Sequence, residues 1–132
     1  MIAVDTSVLV ELFRGRRGRG ADRLRELERA GTPIAVPAIC CQELLQGALD
    51  RREWDRMYDV LSSQIILVPR DNMKTHVEAA RIYFDCRRKG VTVRSTVDCF
   101  IAALAIEHAA VLLHSDADFA RIAEVCPLET MR

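Results

Sequence analysis

Hydrophobic residues at the start of the chain form first a continuous run and then a helical repeat. Ile2, Ala3 and Val4 make a short apolar run that stops at Asp5. The apolar positions that follow recur at helical spacing, at Val8, Leu9, Leu12 and Phe13. The pattern predicts a buried strand, a sharp turn, and a helix whose N-cap is Thr6 or Ser7. We expect this first strand to lie in the middle of a sheet.

The remaining pattern alternates short apolar runs with longer amphipathic stretches. It predicts further strands at Ile34–Val36, Ile65–Val68, Val111–His114 and Pro127–Thr130. It predicts further helices over Ala21–Ala30, Ala38–Leu49, Arg52–Leu61, Asn72–Lys89, Thr96–Ala109 and Phe119–Val125. Such alternation indicates a parallel α/β sheet with helices on both faces. The helix at 96–109 is apolar nearly all round, so we expect it to be buried. The run at 65–68 is predicted to be a short buried strand.

Composition fits one ordinary globular domain that spans residues 1–132. Half of the residues are hydrophobic, 29% are charged, and the formal net charge is zero. No apolar run approaches the ~20 residues of a membrane span, and no signal peptide is expected. The chain has five cysteines, an odd number without a CxxC spacing. Reduced thiols in a cytoplasmic protein are therefore the expectation.

Acidic residues stand where predicted strands end and predicted helices begin. Asp5 and Asp116 follow strands, and Asp98 lies in the first turn of the apolar helix. Each has a local explanation, because Asp5 and Asp116 can cap the helices that follow them and Ser95-x-x-Asp98 fits a capping box. Glu43 lies inside a helix, where a glutamate is usually solvated.

The order of the elements brings these acids to one rim of the sheet. In a parallel α/β sheet, strand ends and the helix starts after them face the same edge, so Asp5, Asp98 and Asp116 belong together. The Glu43 side chain can lean toward that edge, because Cα–Cβ bonds tilt toward the helix N-terminus. Carboxylates a few ångströms apart repel by roughly 4 kcal/mol per pair at an effective dielectric of about 20. Either some are protonated or a divalent cation binds, and oxygen ligands suit Mg²⁺ or Mn²⁺.

Four segments, in this order along the chain, are similar to one known family. They are DTSVLVEL at 5–12, QELLQG at 42–47, RSTVDCFIAALA at 94–105 and HSDADFARIA at 114–123. Together they resemble the PIN domain, in particular the VapC-type ribonuclease toxins of bacterial toxin–antitoxin pairs. The resemblance spans essentially the whole chain. It implies a PIN-like three-layer α/β/α fold whose central parallel sheet has four to five short strands.

The resemblance also implies a function. It implies a metal-dependent endoribonuclease that cleaves RNA phosphodiesters, forms dimers, and is inhibited by a cognate antitoxin protein. The family's acidic quartet falls on four positions, Asp5, Glu43, Asp98 and Asp116. These four are expected to be catalytic and to bind Mg²⁺, or alternatively Mn²⁺, with Glu43 as a further ligand or a water-positioning base.

Three more residues are assigned by the same resemblance. Asp118 matches an additional acid that only some family members use. Ser7 and Ser95 fall where the family places hydroxyl groups beside the acids, and we expect them to support those acids.

RNA requires positive charge beyond that of a metal ion. Basic residues form two clusters, one around 14–19 and one around 87–94. The residues expected to contact RNA are Arg14, Arg16, Arg17, Arg87, Arg88 and Arg94. The alternative for each of them is a solvated charge in a loop or at a helix end.

Apolar residues in the first three helices exceed what one small sheet has to cover. They are Val8, Leu12, Phe13, Leu24, Leu27, Leu45 and Leu49. One interpretation is that an antitoxin segment docks there as a helix in a groove, and the other is that these residues are ordinary core.

Two other functional classes compete with a nuclease. A phospho-accepting signalling domain is also a small parallel α/β fold with acids at the rim, but it expects a pair of acids after the first strand and a late lysine. Here Asp5 stands alone and no lysine follows Lys89. The second alternative is a catalytically weak PIN fold that only binds a partner.

Overall fold

The computed structural model describes residues 1–15 and 17–132. The five strands are β1 (Ile2–Val4), β2 (Ile34–Pro37), β3 (Ile65–Leu67), β4 (Val111–Leu113) and β5 (Thr130–Met131). The helices in the described residues are α1 (Thr6–Phe13), α2 (Arg19–Arg29), α3 (Ala38–Gln46), α4 (Arg51–Ser62), α5 (Asn72–Arg88), α6 (Thr96–Glu107) and α7 (Ala117–Ile122).

The strands form one parallel sheet in the order β3-β2-β1-β4-β5. The central position of β1 is thereby confirmed. Ile2 lies opposite Ile34 of β2 and Val111 of β4, and Val4 lies opposite Leu113. The ladder continues one residue further, because the Asp5 amide donates to the Leu113 carbonyl over 3.0 Å. The ends of β1 and β4 therefore lie side by side.

The core lies on both sides of β1 and β4. Ala3, Val4 and Leu112 are fully buried, as apolar strands of a covered parallel sheet should be. The predicted burial of the apolar helix is also confirmed, since Cys99 and the whole segment 101–105 of α6 are buried. All five cysteines are free thiols. None of the described helices is both long enough and apolar enough to cross a membrane.

The predicted N-cap of the first helix was wrong. Asp5 itself is the N-cap of α1, and its side chain accepts a hydrogen bond from the Ser7 amide. The local explanation for Asp5 is thus confirmed. Similarly, Asp116 is the N-cap of α7, which is why that helix begins at Ala117 and not at the predicted Phe119. The capping box at the start of α6 does not form, because Ser95 is the N-cap but its side chain makes no capping hydrogen bond.

The predicted buried strand at 65–68 was wrong in its burial. β3 is an edge strand, and Ile65 is 50% exposed. Helix α3 also ends earlier than predicted, at Gln46, with Gly47 as its C-cap and Asp50 capping the next helix. Leu49 therefore lies outside α3 and is 77% exposed. Strand β4 ends before His114, and the last strand begins at Thr130 instead of Pro127.

Candidate metal centre and active site

Asp5 lies directly after the central strand and is buried. Its Oδ2 accepts hydrogen bonds from the Ser7 amide at 3.0 Å and from the Ser7 hydroxyl at 2.6 Å. Its Oδ1 accepts from the Cys40 thiol at 3.9 Å. Burial raises the pKa of Asp5, and the hydrogen bonds from Ser7 offset part of this rise. The carboxylate is held in one orientation at the end of β1.

Ser7 joins the ends of the two neighbouring strands β1 and β4. Its hydroxyl donates to Asp5 and accepts a hydrogen bond from the Ser115 amide at 3.0 Å. Ser115 precedes Asp116, so this single side chain fixes the spacing between the two segments that carry Asp5 and Asp116. The structure therefore places the Ser7 hydroxyl beside an acid.

Glu43 reaches the same region from α3. The Thr6 hydroxyl donates to Glu43 Oε1 at 2.8 Å, which connects the start of α1 to the middle of α3. The Glu43 side chain is half-buried. The pKa of Asp98 is raised first by burial, and the charge of Glu43 adds a smaller contribution.

Asp98, Asp116 and Asp118 form the tightest group of acids. Each offers one carboxylate oxygen, and these oxygens lie within 4.8 Å of one another. Burial raises the pKa of Asp98 to about 7, and the charges of Asp5, Asp116, Asp118 and Glu43 add to the rise. No cation forms a salt bridge with Asp98 within the described residues. Its ionised form therefore lacks a positive partner.

Asp118 has a different environment. Its side chain is only 3% exposed, and it forms salt bridges with Arg94 at 3.3 Å and Arg121 at 2.7 Å. The Asp118 amide donates to Asp116 Oδ1 at 2.9 Å, which completes the cap of α7. This acid is close to the others but already has two positive partners.

The donor set of this group suits a hard divalent cation. All of its ligand atoms are carboxylate oxygens, and Mg²⁺ and Mn²⁺ prefer such oxygens. The pKa of Asp98 is raised first by burial and then by neighbouring negative charges, and a cation between the acids would offset this repulsion. The acidic cluster can therefore bind a metal ion.

Not every residue expected at the site takes part in it. The Ser95 side chain makes no hydrogen bond to an acid among the residues that the structure describes. Arg14 is engaged elsewhere, because its guanidinium donates to Glu53 at 2.8 Å and to the Gly47 carbonyl at 2.9 Å. Its expected role in RNA contact is not supported by this placement. Arg16 lies outside the described residues.

The other expected basic residues are exposed. Arg17 lies in the loop before α2, and Arg87 and Arg88 lie in the last turn of α5. Arg88 extends over the ring of Phe84, with 5.7 Å between the guanidinium carbon and the ring centroid. Of the six, only Arg94 directly contacts one of the five acids in the described part of the chain.

Sequence reasoning missed several residues that hold the acids in place. Thr6 contacts Glu43, Cys40 contacts Asp5, and Arg121 contacts Asp118. His114 was also missed: its Nδ1 accepts from the Asp116 amide at 3.3 Å, and burial lowers its pKa. Thr6 directly follows Asp5 and His114 lies two residues before Asp116, so their sequence positions could have indicated these contacts. Arg121 follows Asp118 at the i,i+3 spacing of a helical ion pair, which is also a signal, whereas Cys40 carried none.

The apolar residues of the first three helices are mostly core. Val8 and Leu24 are buried, and Leu12, Phe13, Leu27 and Leu45 pack against the core while remaining partly exposed. Two cavities of about 550 and 740 Å³ lie against α5 and α6, and none of the five acids is among their lining residues. Of the five acids, Asp5 and Asp118 are buried, and Glu43, Asp98 and Asp116 are half-buried.

Comparison with known proteins identifies the protein family that has this sheet order and these acids. The family model described as the PIN domain matches residues 2–125. The chain therefore belongs to the PIN domain family. Within that family it groups with the VapC ribonucleases: Ribonuclease VapC11 of Mycobacterium tuberculosis is 40% identical over 133 residues, covering 98% of this chain and 96% of its own. The expected enzyme class, a hydrolase of the nuclease type, is confirmed by this membership.

Solved structures share the fold. VapBC2 from Rickettsia felis, crystallised with a DNA fragment from the promoter, matches with a TM-score of 0.75 at 20% identity, over 99% of this chain and 98% of that one. A toxin-antitoxin complex from Klebsiella pneumoniae matches with a TM-score of 0.73 at 26% identity, over 98% and 99% of the two chains. The predicted PIN-like α/β/α architecture is thus confirmed, with five strands in the sheet.

Proposed function

We propose that this chain is a Mg²⁺-dependent endoribonuclease and the toxin of a toxin–antitoxin pair, folded as one domain over residues 1–132. The observation that carries the proposal is the grouping of acids from separate elements. Carboxylate oxygens of Asp98, Asp116 and Asp118 lie within 4.8 Å of one another. Burial raises the pKa of Asp98 to about 7, and Asp98 forms no salt bridge within the described residues. Family membership supplies the substrate class, because the 40% identical relative is named a ribonuclease.

The proposed metal ligands are Asp5, Asp98 and Asp116, with Glu43 as a further ligand or a water-positioning base. Mg²⁺ at this site would activate water and neutralise charge that develops on a phosphodiester. Mn²⁺ offers the same coordination chemistry and is the alternative ion.

The chain's own residues orient these ligands. Ser7 and Cys40 occupy both oxygens of Asp5, which sets the direction of the remaining lone pairs. Thr6 holds one oxygen of Glu43 and leaves the other available to orient a water molecule. Such fixed positioning lowers the reorganisation needed during the reaction.

The acids at the rim repel the RNA backbone, so basic residues must offset that repulsion. Arg17, Arg87 and Arg88 are exposed and available for phosphate contacts, and Arg94 lies at the acids themselves. We do not extend this role to Arg14, because its guanidinium is held by Glu53.

The proposed protein partner is an antitoxin. A structural relative at 26% identity is a toxin-antitoxin complex, and others are VapBC complexes. Partly exposed apolar residues of the first three helices, such as Leu12 and Leu45, offer a surface for an antitoxin helix. We also propose that this partner inhibits the chain and that the chain forms a dimer. A cytoplasmic location is proposed as well, because it suits five free thiols.

The proposal is tested by RNA cleavage. The purified chain is incubated with total cellular RNA in Mg²⁺ or in EDTA, beside the variants Asp98→Asn and Asp55→Asn. We expect cleavage only with Mg²⁺, a loss of at least about 100-fold for Asp98→Asn, and wild-type activity for Asp55→Asn, a matched control because Asp55 lies in an exposed pair with Arg51.

Two outcomes would contradict the proposal. Cleavage that persists in EDTA and in Asp98→Asn would mean that the acids are not the active site. A folded protein that binds Mg²⁺ but cleaves no RNA would favour the catalytically weak binding module.

A further inference from the structure

Within the described residues, Asp118 is the one acid of the five that forms salt bridges with positively charged side chains. Arg94 Nε donates to its Oδ2 at 3.3 Å, and Arg94 Nη2 reaches its Oδ1 at 3.5 Å. Arg121 Nη1 also donates to Oδ1 at 2.7 Å. The two-atom contact with Arg94 has the fork geometry in which a guanidinium matches a carboxylate. A metal ion bound at Asp118 would share this carboxylate with two positively charged guanidinium groups.

Arg94 and Asp118 differ sharply in exposure. The Asp118 side chain is 3% exposed, whereas the Arg94 side chain is 73% exposed. A buried acid therefore anchors an arginine that faces solvent. Arg94 Nη1 makes no hydrogen bond within the described residues, so this nitrogen remains available to a ligand.

Arg94 lies beside the acids that face the solvent. It precedes α6 by two residues, and Asp98 lies in the first turn of that helix. The pKa of Arg94 is raised first by Asp118 and additionally by the charges of Asp116 and Asp98. The guanidinium is therefore a positive group at the edge of a cluster that otherwise repels phosphate.

We propose that Asp118 is a positioning residue that holds the Arg94 guanidinium at the edge of the acid cluster, and that Arg94 contacts a phosphate of the bound RNA. This inference rests on the proposed function and refines it. It gives Asp118 a task different from metal ligation. Arginine suits this task, because its planar fork can bind a carboxylate on one edge and a phosphate on another.

The first test measures how Arg94→Ala changes cleavage of RNA at fixed Mg²⁺. We expect KM to rise about tenfold, the loss typical of one charge-assisted hydrogen bond, with a smaller change in kcat. The dependence of log(kcat/KM) on log salt should become shallower by about one unit, because one phosphate contact is lost. Arg51→Ala is the matched control, since it removes an exposed arginine from an exposed pair away from the acids. Unchanged KM and salt slope in Arg94→Ala would overturn the proposal.

The second test separates positioning from metal binding by Asp118. We expect Asp118→Asn to raise KM as Arg94→Ala does and to leave the Mg²⁺ concentration for half-maximal activity unchanged. Because both variants break the same pairing of Arg94 with Asp118, the KM of the double variant should not exceed that of Arg94→Ala alone. A Mg²⁺ midpoint raised tenfold or more, with KM unchanged, would make Asp118 a metal ligand and overturn the proposal.

Loss of fold in Asp118→Asn is a separate outcome, which far-ultraviolet circular dichroism detects. In that case Arg94→Lys decides: it keeps the charge but loses the fork, so we expect the salt slope to recover and KM to remain raised. An Arg94→Lys variant with wild-type KM would count against anchoring by Asp118.

The failure of this inference differs from the failure of the proposed function. If the wild-type chain shows no Mg²⁺-dependent cleavage of RNA, both fall together. If the wild-type chain cleaves RNA and Arg94→Ala behaves like Arg51→Ala, only the inference about Arg94 and Asp118 falls.

Discussion

At the scale of single residues, the acids at the rim are not equivalent. Ser7 and Cys40 donate hydrogen bonds to Asp5, and two arginines form salt bridges with Asp118. Within the described residues, the Asp98 side chain has neither kind of contact. Desolvation and like charges act on Asp98 without compensation, which is why its pKa is about 7. Perturbed acids of this kind concentrate at functional sites.

The raised pKa of Asp98 predicts how stability depends on pH. The folded-state pKa of about 7 lies above the unfolded value of about 3.9, so the folded protein binds more protons between these values. Stability contributed by protonated Asp98 is therefore present at low pH and is lost as the pH rises toward and through about 7. Relative to Asp98→Asn, the metal-free wild type should lose on the order of 2 kcal/mol of unfolding free energy between pH 5 and 8.

Urea unfolding in EDTA at both pH values measures this difference. Asp55→Asn serves again as the control, since its exposed carboxylate should give the same pH dependence as the wild type. Parallel stability curves for the wild type and Asp98→Asn would contradict the assigned pKa.

Ser7 gives a second prediction at this scale. Ser7→Ala removes the hydrogen bond to Asp5 and leaves the Ser115 amide without its partner. Because an unsatisfied buried donor costs about 1–3 kcal/mol, we expect a loss of that size in unfolding free energy, together with reduced cleavage. Calorimetry and the RNA assay measure the two effects, and a fully stable, fully active Ser7→Ala would show that the link between β1 and β4 is dispensable.

At the scale of elements, the ends of strands and the beginnings of helices decide where the chemistry lies. Parallel pairing brings the end of β1 beside the end of β4, so the acids that follow both strands lie at the same edge of the sheet. This part was predictable from the sequence. Hydrophobic runs also gave the helix–strand alternation correctly.

Other element features were not predictable, for physical reasons. A short apolar run has the same sequence pattern in a central strand and in an edge strand, so the pattern did not predict the exposure of Ile65 in β3. The pairing of Arg94 with Asp118 joins residues 24 positions apart, and no local periodicity indicates it. Asp5 and Ser7 both suit a helix N-cap, and only the geometry of the turn distinguishes them.

The end of α6 carries a prediction about backbone strain. Ala109 follows this helix with a φ of 50°, in the left-handed region that disfavours a Cβ atom. Glycine adopts this conformation without that penalty, so Ala109→Gly should raise the unfolding free energy by about 1 kcal/mol. Urea unfolding is the measurement, with Ala30→Gly as a control because Ala30 has a φ of −79°. A destabilised Ala109→Gly would contradict this view of the turn.

At the scale of the whole molecule, a chain of zero net charge brings three carboxylates, those of Asp98, Asp116 and Asp118, within 4.8 Å of one another. A nuclease with that distribution needs cations to approach RNA, one supplied by the metal and others by arginines near the rim. Family membership was readable from four ordered sequence segments, because each segment carries an acid that the fold brings to the same place. The division of tasks among those acids required the side-chain contacts.

The position of Mn²⁺ in crystals of the chain, located by its anomalous scattering, tests the proposed metal centre most directly. We predict a peak within about 2.0–2.6 Å of carboxylate oxygens of Asp5, Asp98 and Asp116, with Asp118 still paired to Arg94. No peak at these acids at saturating Mn²⁺, or a peak at another site, would contradict the assignment of the rim as a metal centre.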